Sequence, residues 1–220
     1  MDFFALYNSV RISAISTVIV FFLGVFAANL TTKSNKITKA VCDLIFTLPL
    51  VLPPTVVGYL LIRVFGPNRL IGSFLLKHFD VRVTMTWQAS VIATCVIIFP
   101  LMYRTARGAF ESFDKTLQDR ARCLGLGENY IFWKIKIPIC KSSILSGTVL
   151  SFARALGEYG ATNMISGYTP QKTATISTTV YQMWRTDNDE MALKWVLINI
   201  CISFAALFCL NMIQSNSKQS

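Results

Sequence analysis

Long apolar runs alternate with short polar segments along the whole chain. A bilayer core about 30 Å thick takes about 20 apolar residues in a helix, so runs of that length predict membrane-spanning helices. Five runs qualify, of which the fourth is the least hydrophobic. They cover residues 12–30, 41–64, 83–103, 139–159 and 192–213. The pattern predicts an all-α polytopic membrane protein. A single domain over residues 1–220 is expected, because no linker or low-complexity segment divides the chain.

The polar segments differ in their content of Lys and Arg. With the N-terminus outside, the inner segments 31–40, 103–141 and 212–220 hold twelve basic residues, and the outer segments hold eight. Cytoplasmic segments of membrane proteins are usually the richer in Lys and Arg. The charge distribution therefore favours a multi-pass protein of the cell membrane, with its N-terminus outside and its C-terminus in the cytoplasm.

The composition agrees with a membrane protein and argues against other classes. Hydrophobic residues make up 53% of the 220 residues and charged residues only 15%, which excludes an ordinary soluble domain and a disordered chain. The net charge of +10 reflects basic cytoplasmic loops, since no nucleic-acid-binding motif accompanies it and no nucleic-acid partner is expected. One histidine and six cysteines without a C-x-x-C pair predict neither a metal site nor a disulfide framework.

The inner loop 104–138, between the third and fourth runs, carries most of the information. Apolar residues recur there at three- and four-residue steps and predict an amphipathic helix: Phe110, Phe113, Leu117, Ala121 and Leu124. Gly125 and Gly127 are expected to end this helix, and Glu128 to begin a second short helix. Pro138 would open the fourth span. The loop either packs on its own bundle or docks a soluble partner through its aromatic residues.

The spacing of this loop resembles the signature of ABC-transporter permeases. Asp119-Arg120-Ala121, three residues, Gly125, nine residues and Ile135-Lys136-Ile137-Pro138 match the family's E-A-A, three residues, G, nine residues, I-x-L-P. Asp119 stands for the usual Glu, and Arg120 for the first Ala. Segments 48–62, 99–114 and 152–162 further resemble molybdate-transport permeases, with tungstate and sulfate permeases as close relatives.

The resemblance implies a transport assembly. Two copies of the chain would form a homodimer, two cytosolic ATPase subunits would dock on the inner loops, and an extracytoplasmic binding protein would deliver the oxyanion. The residues implied in coupling to the ATPase are Asp119, Arg120, Ala121, Gly125, Ile135, Ile137 and Pro138. The chain would be no enzyme and hold no cofactor, with ATP and magnesium bound by the partner. The sequence itself contains no phosphate-binding loop motif.

Several residues inside the predicted spans are candidates for the translocation path. Pro53 and Pro54 interrupt the second span and predict either a static kink or a bend that lines the path. Arg154 and Glu158 lie one helical turn apart in the fourth span, which favours an internal ion pair over a direct role in anion passage. Thr162 could donate a hydrogen bond to an oxyanion.

Three alternatives remain open. A tungstate, sulfate or thiosulfate permease of the same family would have the same composition. A non-ABC channel or ion-driven carrier would explain the spans but not the loop. A small intramembrane enzyme would need acids or histidines clustered at one membrane face, whereas the acids here are scattered.

Overall fold

The computed structural model describes residues 3–218, in which every regular element is a helix. The elements are α1 (Phe4–Lys33), α2 (Lys36–Val51), α3 (Pro54–Phe65), α4 (Leu70–Phe79), α5 (Trp87–Glu111), α6 (Lys115–Cys123), α7 (Glu128–Tyr130), a π-helical segment (Ile131–Lys136), α8 (Ile137–Leu156), α9 (Gly160–Ser166), α10 (Ile176–Arg185) and α11 (Asp189–Lys218). The predicted all-α class is confirmed.

Three helices are individually long and apolar enough to cross a membrane: α1, α5 and the Asp189–Cys209 part of α11. They correspond to the first, third and fifth predicted spans. The α8 helix has 20 residues, which is close to the thickness of a bilayer core, but it is not among the apolar helices. Its lower hydropathy agrees with the weak fourth run, and the membrane crossing by α8 stays a prediction.

The second predicted span, 41–64, is not one helix. It consists of α2 and α3, which meet at an angle of 110°. Leu52 and Pro53 both have extended backbone conformations, with ψ angles of 140° and 136°. The proline ring disfavours the helical conformation for the residue before it, and each of these residues precedes a proline. The two adjacent prolines therefore break the helix, whereas Pro49 lies within α2.

The single amphipathic helix predicted from Phe110 to Leu124 is also wrong. Helix α5 continues to Glu111, well past the predicted end of the third span at 103, and α6 begins only at Lys115. Asp114 caps α6, because its carboxylate accepts a hydrogen bond of 2.8 Å from the Thr116 amide. The apolar stripe is thus divided between two helices, and Leu124 at its end is 79% exposed.

The second short helix of the loop does not stand alone. From Glu128 the chain passes through the π-helical segment directly into α8. The Ile137 amide bonds the Phe132 carbonyl, five residues back, as a π-helix requires. Pro138 follows. A proline cannot donate a backbone hydrogen bond, and at ordinary helical spacing its ring clashes with the carbonyl four residues earlier. Pro138 nevertheless lies near the start of α8, and the helical run continues past it.

Helix α8 ends at Leu156, so Glu158 lies beyond the helix and not within it as predicted. The segment 160–191, between the fourth and fifth predicted spans, contains α9 and α10. A capping box between Thr175 and Thr178 begins α10.

Helices α1, α5 and α8 pack together at the centre of the bundle. Gly147 of α8 permits a close approach to α5, since a Cβ there would lie 2.9 Å from the Thr105 side chain. The ends of these helices define two ends of the molecule. The α6 end comprises the C-termini of α1 and α5, the N-termini of α2 and α8, and α6 itself; α4, α9 and α10 lie at the opposite end.

Candidate functional site

Helix α6 is fixed at both ends by local interactions. At its N-terminus, hydrogen bonds from Thr116 hold the pKa of the Asp114 carboxyl below its ordinary value. At its C-terminus, the Gly125 amide bonds the Arg122 carbonyl at 2.9 Å and the Leu126 amide bonds the Ala121 carbonyl at 3.2 Å. These two hydrogen bonds form when the residue that follows the helix has a left-handed backbone conformation. Gly125 has this conformation, with a φ of +77°. The predicted end of the helix at Gly125 is confirmed.

The predicted coupling residues on α6 divide into one buried residue and an exposed face. Ala121 is only 5% exposed and therefore lies on the inner face of α6. Asp119 and Arg120 are exposed. They form, with Thr116, Cys123 and Leu124, an outward groove of about 610 Å³. This face is free to contact another protein.

The second half of the predicted coupling motif lies along the helical run that leads into α8. Ile135 and Ile137 are half-buried, and Pro138 is exposed. Two large aromatic side chains nearby remain open to solvent, with Tyr130 52% and Trp133 59% exposed. Exposed aromatic side chains of this kind are typical of protein interfaces.

An ion-pair chain connects α6 to α1. Arg122 contacts Asp119 at 3.0 Å and Glu128 at 2.6 Å, and Glu128 lies 3.9 Å from the Lys33 ammonium. The hydrogen bond from Arg122 lowers the pKa of the Glu128 carboxyl. These exposed pairs link α6 to the start of the π-helical run and, through the longer Lys33 contact, to the end of α1.

A second ion-pair cluster, which the sequence pattern did not reveal, joins α2 to α5. Asp43 pairs with Arg107 and accepts a hydrogen bond of 2.6 Å from the Tyr103 hydroxyl. Arg107 also contacts Glu111 at 3.0 Å, and Glu111 pairs with Lys39. Asp43 was the one sign of this cluster in the sequence, because an acidic residue within an apolar run requires a partner for its charge.

The predicted path residues Pro53 and Pro54 lie next to the segment that follows α8. A Cβ on Gly160 would lie 2.8 Å from the Pro54 Cβ, and one on Gly58 would lie 2.9 Å from the Ala161 Cα. Helix α3 is therefore in backbone-close contact with α9. The break between α2 and α3 and the break between α8 and α9 lie side by side.

The ion pair favoured for Arg154 and Glu158 is present. The Arg154 Nη1 atom lies 3.0 Å from the Glu158 Oε2 atom, and Glu158 is almost fully buried while Arg154 is partly open. The Oε1 atom accepts a hydrogen bond of 2.9 Å from the Ala161 amide, which ties Glu158 to the start of α9. Thr162, one residue further, is 1% exposed. The structure thus groups Pro54, Glu158 and Thr162, while their part in transport stays a prediction.

Metal-ligating residues do not gather in the described part of the chain. Among residues 3–218, no group of three or more His, Cys, Asp or Glu side chains could hold a metal ion.

Sequence comparisons identify relatives over nearly the whole chain. Residues 20–219 match the family described as binding-protein-dependent transport system inner membrane component. The molybdenum transport system permease protein ModB of Escherichia coli is 37% identical over 204 residues, which is 92% of this chain and 89% of that protein. The sulfate transport system permease protein CysT of Salmonella typhimurium is 29% identical, over 87% of this chain and 69% of that one.

Solved structures agree in fold. A bacterial alginate ABC transporter, crystallised in complex with its alginate pentasaccharide-bound periplasmic protein, contains a chain that matches with a TM-score of 0.78 and 16% identity. The match covers 99% of this chain and 79% of that one. The inward-facing MetNI methionine ABC transporter matches with a TM-score of 0.65 and 14% identity, over 95% of this chain and 94% of that one.

Proposed function

The chain belongs to the family of binding-protein-dependent transport system inner membrane components, and from that premise we propose that it is the membrane-spanning permease subunit of an ATP-driven molybdate importer. The substrate is inferred from relatives, since ModB of Escherichia coli is a molybdenum permease and is more similar to this chain than the sulfate permease CysT. A tungstate or sulfate permease is the second candidate, because these anions have the same charge and tetrahedral shape as molybdate and could pass through the same path.

The observation that carries the proposal is the exposed face of α6. Helix α6 is capped at both ends and carries three of the seven predicted coupling residues. It presents Asp119 and Arg120 outward, with Leu124 exposed at its C-terminal end. A partner that binds this face can act on α8, because only the short turn at residues 124–127 and the Arg122–Glu128 ion pair lie between α6 and the helical run that leads into α8. We infer that two cytosolic ATPase subunits dock here, one for each copy of a permease homodimer.

The division of labour between the subunits follows from the sequence. The sequence contains no phosphate-binding loop motif, which supports the proposal that the ATPase binds ATP and magnesium while this subunit forms the path. A binding protein outside the cell would deliver the oxyanion. This arrangement requires the α6 end to face the cytoplasm, which places the N-terminus outside and the C-terminus inside, as the Lys and Arg distribution favours.

The path for the anion is proposed to pass the two adjacent helix breaks. Transporters commonly bind their cargo where discontinuous helices meet, because unwound backbone can be exposed there. Pro53 and Pro54 form one break, and Arg154, Glu158 and Thr162 surround the other. Closure of the ATPase pair would shift α6 and α8 together and change the packing at these breaks.

The proposal predicts that the chain co-purifies with its ATPase and that Leu124→Asp abolishes this. A charge placed at the centre of a docking groove loses apolar contact and requires desolvation. We expect co-purified ATPase and molybdate uptake to fall together. The matched control is Leu70→Asp, which should retain the ATPase. Leu70 is 90% exposed and is the first residue of α4, at the opposite end of the molecule. Undiminished ATPase binding in Leu124→Asp would reject the coupling role of α6.

Substrate identity needs a separate measurement. Uptake into cells supplied with the matching binding protein should be competed by molybdate more strongly than by sulfate. Stronger competition by sulfate would leave the permease proposal intact and replace its substrate.

A further inference from the structure

A basic cavity lies at the α6 end, beside the docking face of α6 and separate from it. Its volume is about 380 Å³, and it is enclosed by the end of α1, the start of α2, the end of α5, the start of α6 and the π-helical segment. The ionisable residues that line it are Lys33, Lys39, Arg107, Glu111, Lys115 and Lys136. Five cations therefore face one carboxylate.

Nearby acids neutralise only part of this charge. Lys39 and Arg107 share Glu111, and Arg107 also pairs with Asp43. Lys33 has a long contact of 3.9 Å with Glu128. Within residues 3–218, neither Lys115 nor Lys136 has a carboxylate within ion-pair distance. The cavity retains an excess of positive charge.

Lys136 is the unusual member of this set, because it is only 8% exposed. Its ammonium lies 4.4 Å from the centre of the Phe110 ring, which supplies a weak cation–π attraction. Burial lowers the pKa of this ammonium. A buried cation without a counter-ion is costly, so the side chain is expected to occur where an anion can reach it. The neighbouring Lys134, two residues earlier, is exposed and does not line the cavity.

We propose that this cavity binds a phosphate-type anion, held by Lys136 at its base and by Lys115 and Lys33 at its rim. Basic pockets between helices near a membrane surface accept phosphate head groups, and a phosphate ester presents several oxygens to several ammonium groups. The cavity lies at the ends of α1 and α5, two of the helices that are long and apolar enough to cross a membrane. The anion is therefore either the head group of an anionic phospholipid or free inorganic phosphate, which share this chemistry.

A bound anion would have a structural consequence. It would bridge residues on α1, α6 and the π-helical segment, which otherwise repel one another across the cavity. The position of α6 relative to α1 would then depend on occupancy. Binding itself does not depend on the transported substrate, so failure of this inference and failure of the permease proposal are distinguishable.

The test is native mass spectrometry of the full-length chain with added phosphatidylglycerol or phosphatidylcholine, with inorganic phosphate titrated separately by thermal shift. Wild-type chain should retain phosphatidylglycerol in preference to phosphatidylcholine. Lys136→Met should weaken retention by at least about fivefold, as expected for the loss of one cation near a lipid phosphate. The matched variant Lys134→Met should bind like the wild type.

The two sources give different results. Retention of phosphatidylglycerol that is lost in Lys136→Met supports a lipid head group, and a phosphate-dependent stabilisation lost in the same variant supports a free anion. Equal behaviour of wild type and Lys136→Met with both probes overturns the site. Equal loss in Lys134→Met also overturns it, because general surface charge would then be responsible.

The folding of the variant is controlled separately. If Lys136→Met does not give a monodisperse protein, Lys115→Met replaces it, because Lys115 is an exposed residue of the cavity rim. Unchanged binding in Lys115→Met would then count against the site. If neither lipid nor phosphate binds, but Lys136→Met loses its ATPase, the cavity receives an acidic segment of that subunit and the anion site is rejected.

Discussion

Gly125 occupies a backbone conformation that side chains with a Cβ rarely adopt. Its φ of +77° permits the two hydrogen bonds that close α6, while no heavy atom lies within 4 Å of a Cβ built there. The constraint is therefore conformational and not steric. Gly125→Ala should destabilise the protein by about 1 kcal/mol, the cost of forcing a non-glycine residue into the left-handed region. Thermal unfolding in detergent measures this.

A nearby glycine provides the control for Gly125. Gly127 also has open space around a Cβ, but its φ is −69°. Gly127→Ala should lower the melting temperature less than Gly125→Ala, because alanine adopts this backbone conformation freely and loses only the mild preference for glycine at a helix N-cap. Equal destabilisation by both substitutions would contradict the role assigned to the left-handed conformation.

Asp43 is the central acceptor between α2 and α5. It pairs with Arg107 and accepts the Tyr103 hydroxyl, and the side chains of the ion pair are only 21% and 25% exposed. Asp43→Asn should reduce the free energy of unfolding by roughly 1–2 kcal/mol, because a partly buried charge then lacks one partner. The comparison is Glu190→Gln, whose pair with Lys194 is exposed and contributes little. An equally small effect at Asp43 would contradict this.

Single residues were predictable to different degrees. Gly125 could be assigned from sequence, because a glycine that directly follows an amphipathic stretch is typical of a helix end. Asp43 could not be paired, since its partners Arg107 and Tyr103 are more than fifty positions away along the chain. Glu158 was assigned to the right partner but the wrong element, because the i, i+4 spacing to Arg154 survives the end of α8.

At the scale of elements, the contact between α3 and α9 fixes the two helix breaks relative to each other. A Cβ on Gly58 would lie 2.7 Å from the Met164 Cβ and 2.9 Å from the Ala161 Cα, neither of which can move freely. Gly58→Ala should separate the helices and destabilise the protein by about 1–3 kcal/mol, in line with overpacking of a core. Uptake of molybdate should fall with it.

The control for Gly58 lies at the neighbouring break. A Cβ on Gly157 would have its nearest neighbour, the Arg154 carbonyl oxygen, at 4.0 Å. Gly157→Ala should therefore change neither stability nor uptake appreciably. A wild-type melting temperature for Gly58→Ala would show that α3 and α9 are not closely packed in the membrane.

The elements show where sequence patterns reach their limit. Hydropathy located α1, α5 and α11, because a single long apolar run can satisfy its backbone hydrogen bonds inside a bilayer only as a helix. The apolar stripe that begins at Phe110 keeps its helical period across residues 112–114. Periodicity alone could therefore not reveal the break between α5 and α6. Two prolines marked the break in the second run, but its angle of 110° depends on packing against α9.

At the scale of the whole molecule, the proposed orientation in the membrane can be tested at the two ends of the bundle. Cys123 is an exposed thiol on that helix, whereas Cys140 nearby is buried. In cells that express the chain without its ATPase, which would cover Cys123, a membrane-impermeant maleimide should label Cys123 in inverted vesicles and not in intact cells, if the α6 end faces the cytoplasm. Cys123→Ser should remove this labelling.

A cysteine at the opposite end completes the orientation test. Phe79→Cys, at the exposed end of α4, should be labelled in intact cells. The reverse pattern at both positions would place α6 outside the cell and would remove the basis for ATPase docking.

The unbroken run from Glu128 to Leu156 has a mechanical consequence. At about 1.5 Å per residue it forms a rod about 40 Å long, with one tip beside the aromatic residues Tyr130 and Trp133 and the other beside the Arg154–Glu158 pair. A stiff rod that pivots near its middle moves both tips at once, in opposite directions. If α8 crosses the membrane as proposed, a displacement of the tip at Tyr130 and Trp133 would reach the Arg154–Glu158 pair through the tilting of a single helix.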